Sequence, residues 1–473
     1  MNLKLRMLFA GIICCFMAVM PGQASSSDTY IKNGIIVSSP DFTAEDDFKV
    51  ITTLPSGRNR LVDYAHGCSL EYPGDMFVDV SLSEVRVVLA NSDTRMEIYH
   101  DVFYDTINNS SDYIGYGNRF INNKRDHNTV MNKYTTIGGL KTHLLQWSRA
   151  RLASVENDQN NYLTAEIVKN NYEVYTVMVK STGDPSAYLP YIQSFRLVEV
   201  QGTPRINTRY VQSGRISRLS PETQDFYRRF FSPEARLQWG IYEYSAGQSL
   251  DFLESLEKQL DYQFHILVWY KSLNTPLPRD LLDRAYAKDK YLELTFHTEV
   301  AGADNRSVMY DILNGQYDAY FNTYARDLKA FGHPVLFRLD NEMNGDWCWY
   351  SAFYTGKDAE MYIKLWRYIH DIFVDRGVDN VVWVWNPHDV SLPAFKWNHY
   401  LMYYPGDEYV DVVGLTGYNN GTYFPGERWR EFDEIYLPLY NEYVLAFDKP
   451  FMITEFASNS VGGDKTAWVG RMF

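Results

Sequence analysis

Two glutamates each close an apolar, strand-like run of this sequence. Glu342 lies in Val335-Leu-Phe-Arg-Leu-Asp-Asn-Glu-Met-Asn-Gly-Asp-Trp-Cys-Trp349, and Glu455 lies in Phe451-Met-Ile-Thr-Glu-Phe456. A carboxylate at the end of a buried strand costs free energy unless it is paired or used. Two carboxylates on parallel strands of one barrel can face each other across a sugar ring, which is the arrangement that cleavage of a glycosidic bond requires.

A salt bridge is the ordinary role of a single glutamate at a strand end. The pair is harder to explain in that way, because Trp347 and Trp349 follow closely after Glu342. Flat indole rings suit the apolar C–H face of a pyranose. The pattern therefore indicates a carbohydrate site.

Strand-like runs alternate with helical patterns through the second half of the chain, and this alternation predicts parallel pairing. The seven predicted strands are Leu237–Tyr242, His265–Trp269, Leu292–His297, Val335–Leu339, Val381–Trp385, Val410–Leu415 and Phe451–Thr454. Seven such units, with no glycine-rich phosphate motif after the first strand, favour a (β/α)8 TIM-type barrel over a doubly wound sheet. Residues at the carboxyl ends of barrel strands carry the chemistry, and both glutamates lie there.

Two of the intervening helices show end signals. Ser249–Leu260 has Ser249 as its predicted N-cap, and Asp358–Arg376 is followed by Gly377 as its C-terminal cap. Serine accepts a hydrogen bond from the first free amides of a helix, and glycine adopts the left-handed conformation that ends one.

The rest of the chain divides into three further regions. Residues 1–24 predict a secretory signal, with a basic start, an apolar run and small residues before the cleavage site; a transmembrane anchor is the alternative. Residues 28–200 predict an α+β accessory domain without a motif for chemistry. Residues 201–232 are polar and rich in arginine, typical of a linker or capping segment, and the barrel follows over 233–473.

The net charge of the chain limits the classes of ligand that it is expected to bind. The 473-residue chain has a net charge of −14, which argues against binding to nucleic acid or to an anionic membrane. It suits a neutral polysaccharide substrate. No clustered His and Cys spacing predicts a metal site, and no motif predicts a cofactor. We expect a secreted monomer that works without either.

Over about residues 235–470 the sequence resembles glycoside hydrolase family 26, best known for endo-β-1,4-mannanases. The segments that carry the resemblance are Phe337-Arg-Leu-Asp-Asn-Glu-Met-Asn-Gly-Asp-Trp347, Trp383-Val-Trp-Asn-Pro387, Asp411-Val-Val-Gly-Leu-Thr-Gly-Tyr418, Ile453-Thr-Glu-Phe456 and Gly462-Gly-Asp-Lys465. The resemblance implies a retaining mechanism with Glu342 as acid/base and Glu455 as nucleophile. It also implies that Trp347 lines the substrate cleft and that Tyr418 donates a hydrogen bond to the nucleophile.

Other polar and aromatic residues are weaker candidates for the same site. Arg338, Asp340 and Glu342 alternate, so all three are expected to face inward. Arg338 then orients a carboxylate or forms a buried ion pair. His297 binds a sugar hydroxyl or is structural, and Trp385 stacks on substrate or belongs to the core.

Asn341 departs from the family pattern, because mannanases of family 26 usually carry histidine just before the acid. In the wider clan of retaining barrels an asparagine there binds the sugar 2-hydroxyl, whose orientation differs between mannose and glucose. Mannan is therefore the first expectation, and glucan or xylan is the alternative. The rival class is a non-catalytic carbohydrate-binding protein on a degenerate barrel, against which both glutamates and Tyr418 argue.

A closed barrel of this type needs eight strands. Only seven are visible before Phe473, which falls in the helix predicted to start near Asp464. The resemblance also implies a substrate-stacking tryptophan at the end of the eighth strand. We therefore expect the 473-residue form to lack a strand, to be poorly stable and to be nearly inactive.

Overall fold

The computed structural model describes residues 28–104 and 108–472, so the predicted signal over residues 1–24 lies outside the described residues. Residues 28–200, called the N-terminal module below, are mostly sheet. The strands are β1 (Asp28–Lys32), β2 (Ile35–Val37), β3 (Phe48–Thr53), β4 (Arg58–Asp63), β5 (Cys68–Pro73), β6 (Phe77–Asp79), β7 (Val87–Ala90), β8 (Thr94–Val102), β9 (Asn128–Ile137), β10 (Leu140–Ser148), β11 (Asn161–Asn170), β12 (Glu173–Ser181) and β13 (Arg196–Leu197).

These strands form two sheets, of order β13-β5-β4-β3-β1-β2 and β6-β7-β8-β12-β11-β10-β9, with antiparallel pairing throughout. Helices α1 (Ser110–Gly117) and α2 (Leu189–Ile192) are short. The expected α+β character of this domain is not confirmed, because its sheets dominate.

The larger sheet of the module has two buried faces. Leu163, Ala165 and Ile167 of β11 pack towards the smaller sheet. Tyr162 on the opposite face shares a core with residues of the barrel, among them Met361. Because side chains alternate along a strand, one sheet serves two cores, and the module and barrel are packed as one body.

The remaining elements belong to the barrel and its approach. They are β14 (Tyr210–Val211), α3 (Pro221–Phe231), β15 (Gly240–Ile241), α4 (Asp251–Leu260), β16 (Ile266–Ser272), α5 (Arg279–Tyr286), β17 (Tyr291–His297), α6 (Val308–Leu313), α7 (Asp318–Phe331), β18 (Val335–Leu339), α8 (Glu360–Asp375), β19 (Val381–Trp385), β20 (Val412–Asn419), α9 (Phe432–Ala446), β21 (Phe447–Asp448), β22 (Phe451–Ser458) and α10 (Lys465–Gly470). The central sheet is parallel, in the order β15-β16-β17-β18-β19-β20-β22.

The parallel sheet is strongly curled. Strands β18 and β22 are separated by three strand spacings, about 14 Å in a flat sheet, yet Arg338 Nη2 and Glu455 Oε1 are 2.6 Å apart. Beside the first strand, the Trp239 ring contacts Phe456 of β22 at a centroid distance of 5.7 Å. This curvature fits a TIM-type barrel, as the sequence predicted.

All seven predicted barrel strands are present, with shifted boundaries. The first, predicted over Leu237–Tyr242, pairs only over Gly240–Ile241. The N-cap of helix α4 lies one residue later than predicted: Leu250 holds that position, although Ser249 Oγ still accepts a hydrogen bond from the Asp251 amide at 3.1 Å. Gly377 follows α8 with a φ of 69°, as its predicted role requires.

Residues 201–232 pack against the barrel and are not a free linker. Phe226 of α3 joins Leu336 and Val382, near the amino ends of β18 and β19, in one apolar cluster. Arg215 forms a buried ion pair with Asp411. The segment covers the end of the barrel opposite the two glutamates. Within the described residues, every helix is too short or too polar to cross a membrane.

Candidate active site

Glu455 lies within strand β22, directly after a shift in its register with β20, and is held on both carboxylate oxygens. Arg338 Nη2 pairs with Oε1 at 2.6 Å, and the Tyr418 hydroxyl donates to Oε2. The Asn341 amide contributes a weaker contact to Oε1 at 3.4 Å. The side chain keeps 13% of its surface exposed, so the carboxylate is fixed in direction but remains accessible from the cleft.

The surroundings of Glu455 favour its charged form. Burial alone would raise its pKa, but the charge of Arg338 and hydrogen bonds from Tyr418 and Tyr270 outweigh burial and hold the pKa below its ordinary value. A carboxylate that stays ionised at neutral pH is what a nucleophile needs.

Glu342 lies on irregular backbone after β18. Its φ of 57° is in the left-handed region, which is uncommon outside glycine and is found where function or surrounding contacts impose it. Its amide donates to the Asn386 carbonyl at 2.7 Å, and the Trp347 indole donates to Oε2 at 2.9 Å. Gly345 permits this arrangement, because a Cβ there would stand 2.4 Å from the Trp347 ring.

The surroundings of Glu342 favour its protonated form. Burial raises its pKa and the nearby charge of Glu455 raises it further, while His388 and the Trp347 donor act in the opposite direction. The pKa values of the two glutamates are therefore shifted in opposite directions, so that Glu455 favours the anion and Glu342 favours the protonated acid. Such a split is how a site assigns acid and base roles to two carboxyl groups.

Asn341 connects the two glutamates to His297 at the end of β17. Its side-chain oxygen accepts from His297 Nε2 at 2.6 Å, and its carbonyl accepts from the Tyr350 hydroxyl at 2.6 Å. Burial lowers the pKa of His297, so the neutral imidazole serves as a fixed donor. The two hydrogen bonds, from His297 and from Tyr350, orient the Asn341 amide towards the side of the cleft where Glu455 lies.

Arg338 pairs with two carboxylates, those of Glu455 and Glu293. Glu293 was not among the site residues predicted from the sequence. Arg338 Nε lies 2.7 Å from Glu293 Oε1, and all three side chains meet inside the barrel. Burial raises the pKa of Glu293 to about 7, Arg338 opposes this rise, and Glu455 adds to it. A signal was available: Glu293, Thr295 and His297 alternate as polar residues within an otherwise apolar strand.

Three expectations about lesser residues change. Trp385 has no exposed surface and packs against Tyr400, Tyr404 and Phe447, so it is a core residue and does not stack on substrate. Asp340 does not continue the inward alternation, because β18 ends at Leu339.

The Asp340 carboxylate turns instead to the Thr298 amide and hydroxyl, at 2.7 and 2.8 Å. Trp349 is half-buried against Tyr354 at a centroid distance of 4.6 Å, whereas Trp347 is 45% exposed beside the acid. Of the two tryptophans, Trp347 is therefore the one available to a ligand.

Among residues 28–104 and 108–472, no group of three or more His, Cys, Asp or Glu side chains is arranged to hold a metal ion.

Residues 292–446 match the sequence pattern of glycosyl hydrolase family 26. Endoglucanase H of Acetivibrio thermocellus is 39% identical over 166 residues, which are 34% of this chain and 18% of that protein. The mannan endo-1,4-beta-mannosidase of Bacillus subtilis strain 168 is 31% identical over 180 residues, 37% of this chain and 42% of that enzyme. The matches thus span less than half the length of either relative.

Among solved structures, the YdhT protein from Bacillus subtilis is similar over 55% of this chain and 84% of its own, at 20% identity and a TM-score of 0.40. The matched segment of this chain includes Glu342 and Tyr418 together with the strands β17 to β20 that place them. Residues 292–446 of the barrel are therefore similar to glycosyl hydrolase family 26.

Proposed function

We propose that this protein is an endo-acting glycoside hydrolase that cleaves internal β-linkages of a polysaccharide, with β-mannan as the first candidate substrate. The observation that carries the proposal is that two glutamates of one accessible site have pKa values shifted in opposite directions, that of Glu455 down and that of Glu342 up. The match of residues 292–446 to glycosyl hydrolase family 26 supports the reaction class, and the similarity to a mannan endo-1,4-beta-mannosidase supports the choice of mannan.

The proposed reaction is a double displacement that retains the anomeric configuration. Glu455 attacks the anomeric carbon while Glu342 gives its proton to the leaving glycosidic oxygen. Formation of the ester removes the charge of Glu455, which lowers the pKa of Glu342 and lets it act as base. Glu342 then takes a proton from water as the water attacks the same carbon, and Glu455 leaves as a carboxylate.

The positions of the neighbouring residues support this sequence. Arg338 and Tyr418 keep Glu455 charged before attack and stabilise it when it departs. Trp347 offers an exposed indole face next to the acid, suited to a sugar ring in the leaving-group region.

A β-glucanase is the second candidate, and Asn341 is the observation that favours it. The amide lies beside Glu455, where it can reach the 2-hydroxyl of a sugar at the point of attack. Endoglucanase H is also among the relatives. We further propose that the protein is exported, on the basis of the signal-like residues 1–24.

The decisive experiment measures reducing-sugar release by the purified chain on mannan, mixed-linkage glucan, β-1,3-glucan and xylan. Proton NMR of the first product then follows its anomer before mutarotation. We expect one preferred polymer and an initial β-anomer. Release of the α-anomer first would exclude the double displacement, and no release from any polymer by an otherwise folded protein would favour a carbohydrate-binding role.

A further inference from the structure

The acid-bearing loop is enclosed between the barrel and the N-terminal module. This acid loop, residues 340–359, connects β18 to α8 without a helix or strand of its own. Loops of such length need support from outside to hold one conformation. The loop residues that contact the module are Asp346, Phe353, Gly356, Lys357 and Asp358.

The far end of the acid loop is fixed by buried charge. Lys357, at a φ of 65°, donates to Glu166 of β11, and both side chains are almost fully buried. Glu166 also accepts from His143 Nδ1 at 2.7 Å and from Asn118 at 2.9 Å. A left-handed lysine persists only where its surroundings impose that conformation, so the module determines how the loop returns to α8.

Asp358, the next residue, is held in the same way. Its carboxylate accepts from the Tyr162 hydroxyl at 3.0 Å and from Lys180 at 3.1 Å, both of the module. Lys180 also pairs with Glu360 at 3.0 Å. The start of α8 is therefore bound to the module through two ion pairs of Lys180.

The near end of the loop is held beside the acid itself. The Tyr116 hydroxyl of α1 donates to the Asp346 carboxylate, and the Tyr116 ring packs on Phe353 at 4.9 Å. Tyr354 donates to the Asp346 carbonyl at 2.6 Å. Asp346 immediately precedes Trp347, whose indole donates to Glu342. A continuous chain of contacts thus joins α1 to the acid.

We propose that Tyr116 is a positioning residue for Glu342, and that the N-terminal module is part of the catalytic unit. The inference rests on the proposed acid role of Glu342. Trp347 is half-exposed and so depends on its backbone for direction; the Tyr116–Asp346 bond fixes that backbone. Without the bond the indole no longer holds the acid towards the glycosidic oxygen.

The test compares Tyr116→Phe with Tyr113→Phe in the whole protein. Tyr113 lies on the same helix and is fully buried, and its hydroxyl bonds to Thr176 at 2.8 Å. Its ring lies 5.6 Å from Lys357 Nζ of the acid loop, and Tyr113→Phe keeps that ring contact while it removes the hydroxyl. Tyr116→Phe should lower kcat on the polysaccharide about tenfold, a part of the gain from general acid catalysis. It should spare glycosylation by an aryl glycoside with a good leaving group. Tyr113→Phe should leave the ratio of the two rates unchanged.

Coupling between the two partners sharpens the comparison. Asp346→Asn keeps an oxygen that accepts from Tyr116 and should retain most activity, whereas Asp346→Ala should resemble Tyr116→Phe. The double variant Tyr116→Phe/Asp346→Ala should lose little more than either single variant. Additive losses, or equal losses on both substrates, would overturn the positioning role.

Amide hydrogen exchange provides a readout that does not depend on activity. Tyr116→Phe should speed exchange over residues 345–350 about tenfold, and Tyr113→Phe should not. Unchanged exchange in Tyr116→Phe would refute the inference even if the protein is a glycosidase. Faster exchange in a protein that cleaves no glycan would retain the loop contact and reject the proposed function instead.

Discussion

The two candidate catalytic carboxylates are supported in different ways. Glu455 lies in a paired strand, and its partners Arg338 and Tyr418 also project from strands of the same sheet. Glu342 lies beyond the end of a strand, at a left-handed φ, on a loop held from outside the barrel. The carboxylate that must stay charged is built into the sheet, and the one that must change its charge is built on the loop.

The difference follows from what each group has to do. A nucleophile benefits from fixed charges and donors, which a sheet supplies rigidly. An acid needs apolar surroundings and a direction, but few strong donors, because each donor to its oxygens would favour ionisation. The loop fits this need: Glu342 accepts from the Trp347 indole, whereas Glu455 accepts from Arg338, Tyr418 and Asn341. Such a loop needs external contacts to keep its shape.

The strongest way to test the strand side of this comparison is Glu455→Ala. It should reduce turnover on every substrate by on the order of 10⁴-fold or more, because the covalent intermediate cannot form. Initial rates on polysaccharide and on aryl glycosides measure the loss. Glu408→Ala, an exposed glutamate, should behave as wild type. Substantial activity of Glu455→Ala on any substrate would move the nucleophile elsewhere.

The loop side is tested by Glu342→Ala. Loss of the acid should slow polysaccharide cleavage by about 10³-fold, within the usual range for general acid catalysis. Substrates with good leaving groups need little protonation, so their glycosylation step should be nearly unchanged. Pre-steady-state release of the aryl group measures that step. Equal losses on both substrates would contradict the acid assignment.

Sequence reasoning identified what depends on local pattern. The alternation of strands and helices predicted the parallel sheet, and strand ends indicated Glu342 and Glu455. At residues 201–232 the polar pattern left a linker and a capping segment as alternatives, because the contacts of the segment are distant in sequence: Arg215 pairs with Asp411, 196 positions away. Trp385 was also ambiguous, since a strand pattern does not say which face meets the cleft.

Contacts between the module and the acid loop were beyond the reach of the sequence. The bond from Tyr116 to Asp346 joins residues 230 positions apart. Asp346 lies in the segment that contains the acid, but Tyr116 lies in no motif that suggests chemistry. Glu293 differs, because its alternation with Thr295 and His297 was visible; its sharing of Arg338 with Glu455 required the fold.

The pH dependence of folding stability tests the protonation state of Glu293 within the sheet. Between about pH 4.3, the unfolded carboxyl pKa, and about 7, its pKa in the folded protein, the folded state keeps a proton that the unfolded chain has lost. Stability should therefore fall as pH rises through this window, by roughly 4 kcal/mol from this group.

Glu293→Gln stays neutral at every pH and should remove that fall. Free energies of unfolding from denaturant titrations at pH 4.5, 6 and 7.5 measure the difference between variant and wild type. The exposed Glu427→Gln serves as control. The difference should favour Glu293→Gln increasingly as pH rises. Parallel curves for variant and wild type would show that Glu293 is ionised throughout and acts as a permanent partner of Arg338.

The smallest effect concerns the residue between the two sides, Asn341, which contacts Glu455 of the strand and precedes Glu342 of the loop. Asn341→His should change the ratio of mannan to mixed-linkage glucan activity by about tenfold, because one hydrogen bond to the 2-hydroxyl is gained or lost. The thermal midpoint should move little. Asn128→His, exposed on β9 of the module, should leave the ratio unchanged. If Asn341→His lowers both activities by the same factor, Asn341 positions Glu455 and His297 and does not distinguish the two sugars.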